Sequence, residues 1–257
     1  MIKEENFSIK NRADKKILGK ISFVANAKGI AFIQHGLSSN IVQPQIKTAH
    51  ECYVENNWIT ISIDSTNSLN DSDGELADFT MGRHKTDLTD IILWAKKQDW
   101  FIGNIALFGH SMGGYSALMN ASQFDDITDH VIAASTVTSG INLIQAWKKH
   151  IENDFKLWQK QGYREEVKGD YTGRISFSNI QKFIDYSVFD DLDKIKCPIL
   201  FITGGKDTST PPDHVERAYK RSNMDNNKFI IIEEAEHRFP DHLKELKMEI
   251  NSFMQNH

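Results

Sequence analysis

Residues 104–121, NIALFGHSMGGYSALMNA, constrain this chain more than any other stretch. A short apolar run, Ile105-Ala106-Leu107-Phe108, passes through Gly109-His110-Ser111-Met112-Gly113 into helix formers, Ala117, Leu118, Met119 and Ala121. This is G-x-S-x-G between a strand and a helix, the pattern of a serine raised on a sharp turn. Lifting a seryl hydroxyl off the end of a strand requires a tight, strained backbone. The residues two places either side close on one another, so both lack a Cβ. The helix that follows aims free N–H groups at the hydroxyl's surroundings. A glycine-rich turn that merely starts a helix would fit the same five letters. The buried-type strand before it and the alanine-rich helix after it favour the catalytic reading.

The whole chain permits this. Its 257 residues suit one sizeable α/β domain with an insertion. A composition of 40 % hydrophobic and 25 % charged residues is that of an ordinary soluble protein. The net charge of −5 argues against nucleic acid or an anionic membrane surface as partner, since both call for a basic footprint. Cys52 and Cys197 lie far apart and read as buried thiols in a reducing, cytoplasmic setting. The opening MIKEENFSIKNRADKK has no apolar core of a signal peptide, and no apolar run approaches the length of a membrane span.

Taken in order, residues 5–25 read as two short strands around a polar turn at 11–16. Ile30 to Ile33 reads as a strand buried on both faces, followed by the polar loop Gln34 to Asn40. A helix is expected over 43–57, a strand over 58–63, a polar acidic stretch over 64–78 and a helix over 83–98. After the Ser111 segment come strands at 130–135, 198–203 and 228–233, with helices near 211–222 and 241–255. Such alternation with doubly apolar strands predicts a mostly parallel sheet with helices on both faces. Between Val137 and Lys196 no sheet strand is evident. Ile144, Trp147, Ile151, Phe155 and Trp158 recur at helical spacing, so an inserted helical cap is expected over 137–196, between core segments 1–136 and 197–257. The plainer alternative is that this stripe only packs on the body.

A serine nucleophile needs a base within hydrogen-bond reach and an acid that orients the base. In open α/β sheets, reacting groups gather at the carboxyl ends of strands. Asp207 follows the strand ending at Thr203, and His237 follows the strand ending at Glu233. The order Ser111, Asp207, His237 is the one expected of a nucleophile elbow's triad. Asp64 and Asp213 are rivals to Asp207; the first also ends a strand and the second begins a helix. His110 should point away from the nucleophile, and His35 should shape the loop that meets the oxyanion. His214, His242 and His257 are explained by solvation. The oxyanion should be met by the main-chain N–H of Met112 and one from the His35-Gly36-Leu37 loop, Leu37.

Together His35 to Leu37, Gly109 to Gly113, Gly204 to Pro211 and Glu236 to Phe239 resemble the α/β-hydrolase superfamily. Within it the chain is similar to the monoglyceride lipase and carboxylesterase branch, which includes bacterial cinnamoyl (feruloyl) esterases and serine-aminopeptidase-like hydrolases. The resemblance spans nearly everything outside the expected cap. It implies Ser111 as nucleophile, Asp207 as acid, His237 as base, and Leu37 and Met112 as oxyanion donors.

Other chemistries fit less well. Asp71, Asp73 and Gly74 imitate part of a calcium loop, but Leu69 and Thr80 would occupy its two end positions, where acids are required. No histidine pair has the spacing of a zinc helix and no glycine-rich loop precedes a phosphate-binding lysine. The expectation is therefore cofactor-free, metal-free hydrolysis of a small or medium carboxylic ester, a small-molecule substrate, with oligomeric state left open. A thioesterase or aminopeptidase with the same triad is the alternative, the latter needing a cap acid such as Glu152, Asp154 or Glu165. A non-catalytic ligand-binding member of the fold is a third reading.

Overall fold

The computed structural model describes residues 2–222 and 225–256, so His257 lies outside the described residues. The chain opens with β1 (Lys3–Lys10), β2 (Lys16–Phe23) and β3 (Ile30–Gln34), then α1 (Pro44–Glu55), β4 (Ile59–Asp64), α2 (Met81–Ala95), β5 (Ile105–His110), α3 (Met112–Gln123) and β6 (Thr128–Ala134). After β6 come α4 (Gly140–His150), α5 (Glu152–Gln161), β7 (Tyr163–Lys168), β8 (Tyr171–Ser176) and α6 (Phe177–Gln181). The chain then returns through β9 (Ile199–Gly204), α7 (Pro212–Arg221), β10 (Lys228–Ile232) and α8 (Leu243–Gln255).

Eight strands form one sheet in the order β1-β2-β4-β3-β5-β6-β9-β10. The first two pairings, β1 with β2 and β2 with β4, are antiparallel, and the rest are parallel. Strand alternation divides the core in two. Ile30, Phe32, Ile105 and Leu107 face the layer that holds Leu88, Ile91 and Leu118 of α2 and α3. Ala31, Ile33, Ala106 and Phe108 face the layer that holds Ile46 and Tyr53 of α1 and Ile250 and Phe253 of α8. With both faces covered, the central strands read as unbroken apolar runs. Local signals set the helix starts: Pro44 opens α1, and the Thr80 hydroxyl accepts the Arg83 N–H at 3.1 Å to cap α2.

The segment between β6 and β9 carries the expected helices and, in addition, a hairpin that helical spacing did not predict. β7 and β8 pair antiparallel as a separate two-stranded sheet. The sequence YREEVK hides its strand character because neither face is apolar. Beneath the hairpin, the fully buried Trp158 donates its indole N–H to the Ile175 carbonyl at 2.9 Å. Trp147, Phe155 and Phe177 surround it with ring centroids 5.5–6.2 Å away. At about 25 cal/mol per Å², burying the ~200 Å² of an indole contributes ~5 kcal/mol before entropy. That is enough to anchor a hairpin with so little apolar surface of its own.

Candidate active site

Ser111 follows β5 with φ 58° and ψ −117°, a left-handed backbone that β-carbon-bearing residues avoid. The glycines around it are required by contact. A Cβ on Gly109 would overlap the Gly113 carbonyl, and one on Gly113 would overlap the Gln34 carbonyl. A Cβ on Gly36 would stand 3.0 Å from that of Ser111, so the loop after β3 passes directly against the serine.

Two other strand ends bring their side chains here. His237 Nε2 lies 3.0 Å from Ser111 Oγ, and His237 Nδ1 lies 2.8 Å from Asp207 Oδ2. With Nδ1–H donated to the carboxylate, Nε2 faces the seryl hydroxyl as an acceptor. Asp207 is buried, and its Oδ1 accepts the N–H groups of Ser209 at 2.8 Å and Thr210 at 2.9 Å. The Thr210 hydroxyl adds a contact to Oδ2 at 2.8 Å. Burial alone would raise this carboxyl, but His237 and the Thr210 contacts overcome it and hold Asp207 below the usual carboxylate range. Thr210 escaped sequence reasoning because a threonine three residues after an acid carries no distinctive signal.

The N–H of Met112 begins α3 and has no intrahelical acceptor. No acceptor among the described residues meets the Leu37 N–H, and Leu37 and Met112 both line the cleft over Ser111. The His35 ring braces this loop from beneath. Its Nδ1 lies 2.7 Å from the Gly36 carbonyl and its Nε2 accepts the Ser65 N–H at 3.0 Å, while burial pushes its pKa down to about 4. His110 has a part that the spacing did not suggest: its Nε2–H donates to the His237 carbonyl at 2.7 Å and its ring packs 4.8 Å from that of His237. Burial pushes His110 down to about 3, so it stays neutral.

Asp64, the rival acid, ends β4 but serves the loop after β3, accepting the Ile41 N–H at 2.8 Å. It lies 3.9 Å from His35 Nε2, yet that nitrogen is an acceptor on a neutral ring, so no ion pair forms. Burial pushes the Asp64 carboxyl up to about 6. The folded chain therefore holds a proton here that the unfolded chain releases near pH 4, and stability falls as pH rises from about 4 to about 6. That loss, about 3 kcal/mol, is complete at neutral pH. Asp64→Asn keeps an acceptor for Ile41 and is expected to raise stability by about 2–3 kcal/mol at pH 7.5 and by about 1 kcal/mol at pH 4.5. Thermal melts at the two pH values check this; equal shifts at both would refute it.

The cleft over Ser111 has a volume of about 100 Å³. Leu143 and Trp147 of α4 wall it on one side, and Arg164 and Glu166 of β7 on another. The acids singled out on the segment between β6 and β9 lie elsewhere. Glu152 pairs with Lys156, Glu165 pairs with Arg174, and both, like Asp154, are exposed on the outer surface. Asp213 lies exposed in the first turn of α7. Among the described residues no group of three or more His, Cys, Asp or Glu side chains could hold a metal ion, and no helix is long and apolar enough to cross a membrane. Cys52 and Cys197 are buried free thiols, each pushed up to about 12 by burial.

Comparison with known proteins agrees with this architecture. A structure of Est1E from Butyrivibrio proteoclasticus with bound ferulic acid superposes with a TM-score of 0.79 at 22 % identity, covering 97 % of this chain and 98 % of that one. Mouse alpha/beta hydrolase domain-containing protein 10 gives 0.77 at 20 % identity, over 98 % and 99 % of the two chains. The Pyrococcus furiosus esterase Pf2001 gives 0.77 at 16 %, over 99 % and 90 %. In sequence, an uncharacterized 31.7 kDa Escherichia coli protein of the traX-finO intergenic region is 22 % identical over 237 residues, 75 % of this chain and 82 % of that protein. The model of the X-Pro dipeptidyl-peptidase (S15) family matches residues 43–174, just over half of the chain and including the Ser111 turn. The chain is thus a hydrolase of the α/β-hydrolase superfamily and belongs to its S15 family.

Proposed function

We propose that the protein is a serine hydrolase that cleaves small carboxylic esters through an acyl-enzyme on Ser111. The observation that carries the reading is the unbroken line from Ser111 Oγ to His237 Nε2 at 3.0 Å and from His237 Nδ1 to Asp207 at 2.8 Å. In this reading His237 takes the seryl proton as Oγ attacks the ester carbonyl, and the N–H groups of Leu37 and Met112 hold the oxyanion. His237 returns its proton to the leaving alkoxide, then activates a water that releases the acid. Asp207 fixes the ring and offsets its transient charge. Residues 137–196 act as a cap, and a cleft of about 100 Å³ suits an acyl group of a few carbons. Two unbridged thiols fit a cytoplasmic setting.

The family match raises a peptidase reading, whereas the ferulic acid bound to the structural neighbour Est1E favours the ester reading. The site itself weighs against capture of a free N-terminus. The one cap carboxylate in the cleft, Glu166, already pairs with Arg164 at 2.5 Å. A substrate ammonium would meet cations, not a free acid. A panel of p-nitrophenyl esters of graded length, acyl thioesters and dipeptidyl p-nitroanilides tests this. Turnover is expected on short esters, at least a hundredfold above the anilides in kcat/KM. Preferred cleavage of the anilides overturns the ester assignment.

A further inference from the structure

β7 turns one face to the cleft. Arg164, Glu166 and Lys168 alternate along it and are half-buried, while Glu165 and Val167 between them are exposed. Arg164 lies over the faces of Trp158 and Trp147, 4.5 Å and 5.8 Å from the ring centres, and holds Glu166. Its Nε–H is buried with no acceptor among the described residues. Lys168, at the end of the strand, donates to the Ser38 carbonyl at 3.2 Å and so reaches across to the loop that carries Leu37. Arg238, next to His237, lines the same cleft.

The charges do not balance. Glu166 is committed to Arg164, and Asp207 is enclosed by His237, Ser209 and Thr210. Neither Lys168 nor Arg238 has a carboxylate within ion-pairing distance among the described residues. The two cations feel each other: burial, and then Arg238, push Lys168 down to about 8. Glu166 offsets the Lys168 charge only in part, and two cations with no carboxylate in ion-pairing distance at the rim of a small cleft make a site for an anion.

We propose that the substrate carries a carboxylate, held at the rim of the Ser111 cleft by Arg238 and Lys168. This rests on the ester-hydrolase reading of Ser111 and narrows it to half-esters of dicarboxylic acids or esters of acidic alcohols. The guanidinium offers a paired fork and the ammonium a point charge, a combination that suits a carboxylate's two oxygens. The same rim repels a substrate ammonium.

Two matched pairs test it and separate the two placements of the charge. One pair is p-nitrophenyl hydrogen glutarate and its uncharged glutaramate analogue, corrected for spontaneous hydrolysis. The other is 3-carboxyphenyl and 3-carbamoylphenyl butanoate. Rates are normalised to sites labelled by a fluorophosphonate, so misfolded protein is not counted. In at least one pair the acid should exceed its neutral partner about tenfold in kcat/KM, and 0.5 M NaCl should shrink the ratio. In the Lys168→Met, Arg238→Gln double variant the ratio should fall to near one. A wild-type ratio of one or less in both pairs, or a ratio unmoved in the double variant, overturns the proposal while leaving ester hydrolysis intact. No labelling and no turnover of any ester overturns the underlying ester-hydrolase reading instead.

Discussion

Ser111→Ala is expected to lower kcat on short p-nitrophenyl esters by about 10⁵–10⁶-fold and to abolish fluorophosphonate labelling. The Oγ that stands 3.0 Å from His237 Nε2 is the one protein atom that bonds to the acyl carbon in the proposed cycle, and alanine offers no substitute. Residual rate should come from the oxyanion N–H groups and positioning alone. A companion variant separates chemistry from folding. Because residue 111 sits at φ 58°, Ser111→Gly should relieve backbone strain and stabilise the chain by about 1 kcal/mol relative to Ser111→Ala, while being equally inactive. Single-turnover kinetics and thermal melts read the two effects. Labelling that survives in the alanine variant would falsify the assignment of the nucleophile.

Asp207→Asn should cost about 10⁴-fold in kcat with little change in KM. The size follows from how the carboxylate is held. Ser209 N–H and Thr210 N–H both donate to Oδ1, so the asparagine oxygen is kept on that side. Its NH₂ must then face His237 Nδ1, which has to accept. The ring proton moves to Nε2, where it points at Ser111 Oγ and the ring can no longer act as a base. The native carboxyl is held low by His237 and Thr210 against the opposing effect of burial, so Asp207 is ionised throughout the neutral range. Its stabilising contribution is present above the unfolded value near 4 and is lost as pH falls through the lower folded value. The kcat–pH profile of the variant, fitted beside that of the native enzyme, checks this. A loss below tenfold overturns the orienting role.

Much of this arrangement could be read from residue order because its requirements are local. A strand buried on both faces must be apolar at every position, and so Ile30 to Ile33, Ile105 to Phe108 and Ile199 to Ile202 were recognisable without knowledge of their neighbours. Gly109 and Gly113 were legible because the clash they avoid lies within the turn and against the loop after β3. Asp207 and His237 could be singled out as candidates because strand ends of a parallel sheet share one edge.

The segment between β6 and β9 was not readable in the same way. β7 pairs only with β8 and buries almost no apolar surface of its own, so no periodicity marked it. Which acid faces the cleft turned on a single place: Glu165 points outward to Arg174, and Glu166, one residue on, points inward to Arg164. In a strand, one step reverses the face, and only packing of the hairpin on Trp158 settles which face is inner.

By itself, then, the sequence determined the layered α/β architecture, the strained serine turn and the residue types at three strand ends, because each obeys a rule that acts within a few residues. Only the tertiary structure decided that Ser111 and His237, 126 residues apart, stand within a hydrogen bond, that Arg164 and Arg238 line the same small cleft, and that Lys168 reaches the Ser38 carbonyl at its rim. Those proximities depend on sheet order and on how the hairpin docks. Both are set by burial summed over the whole core, which no local pattern encodes.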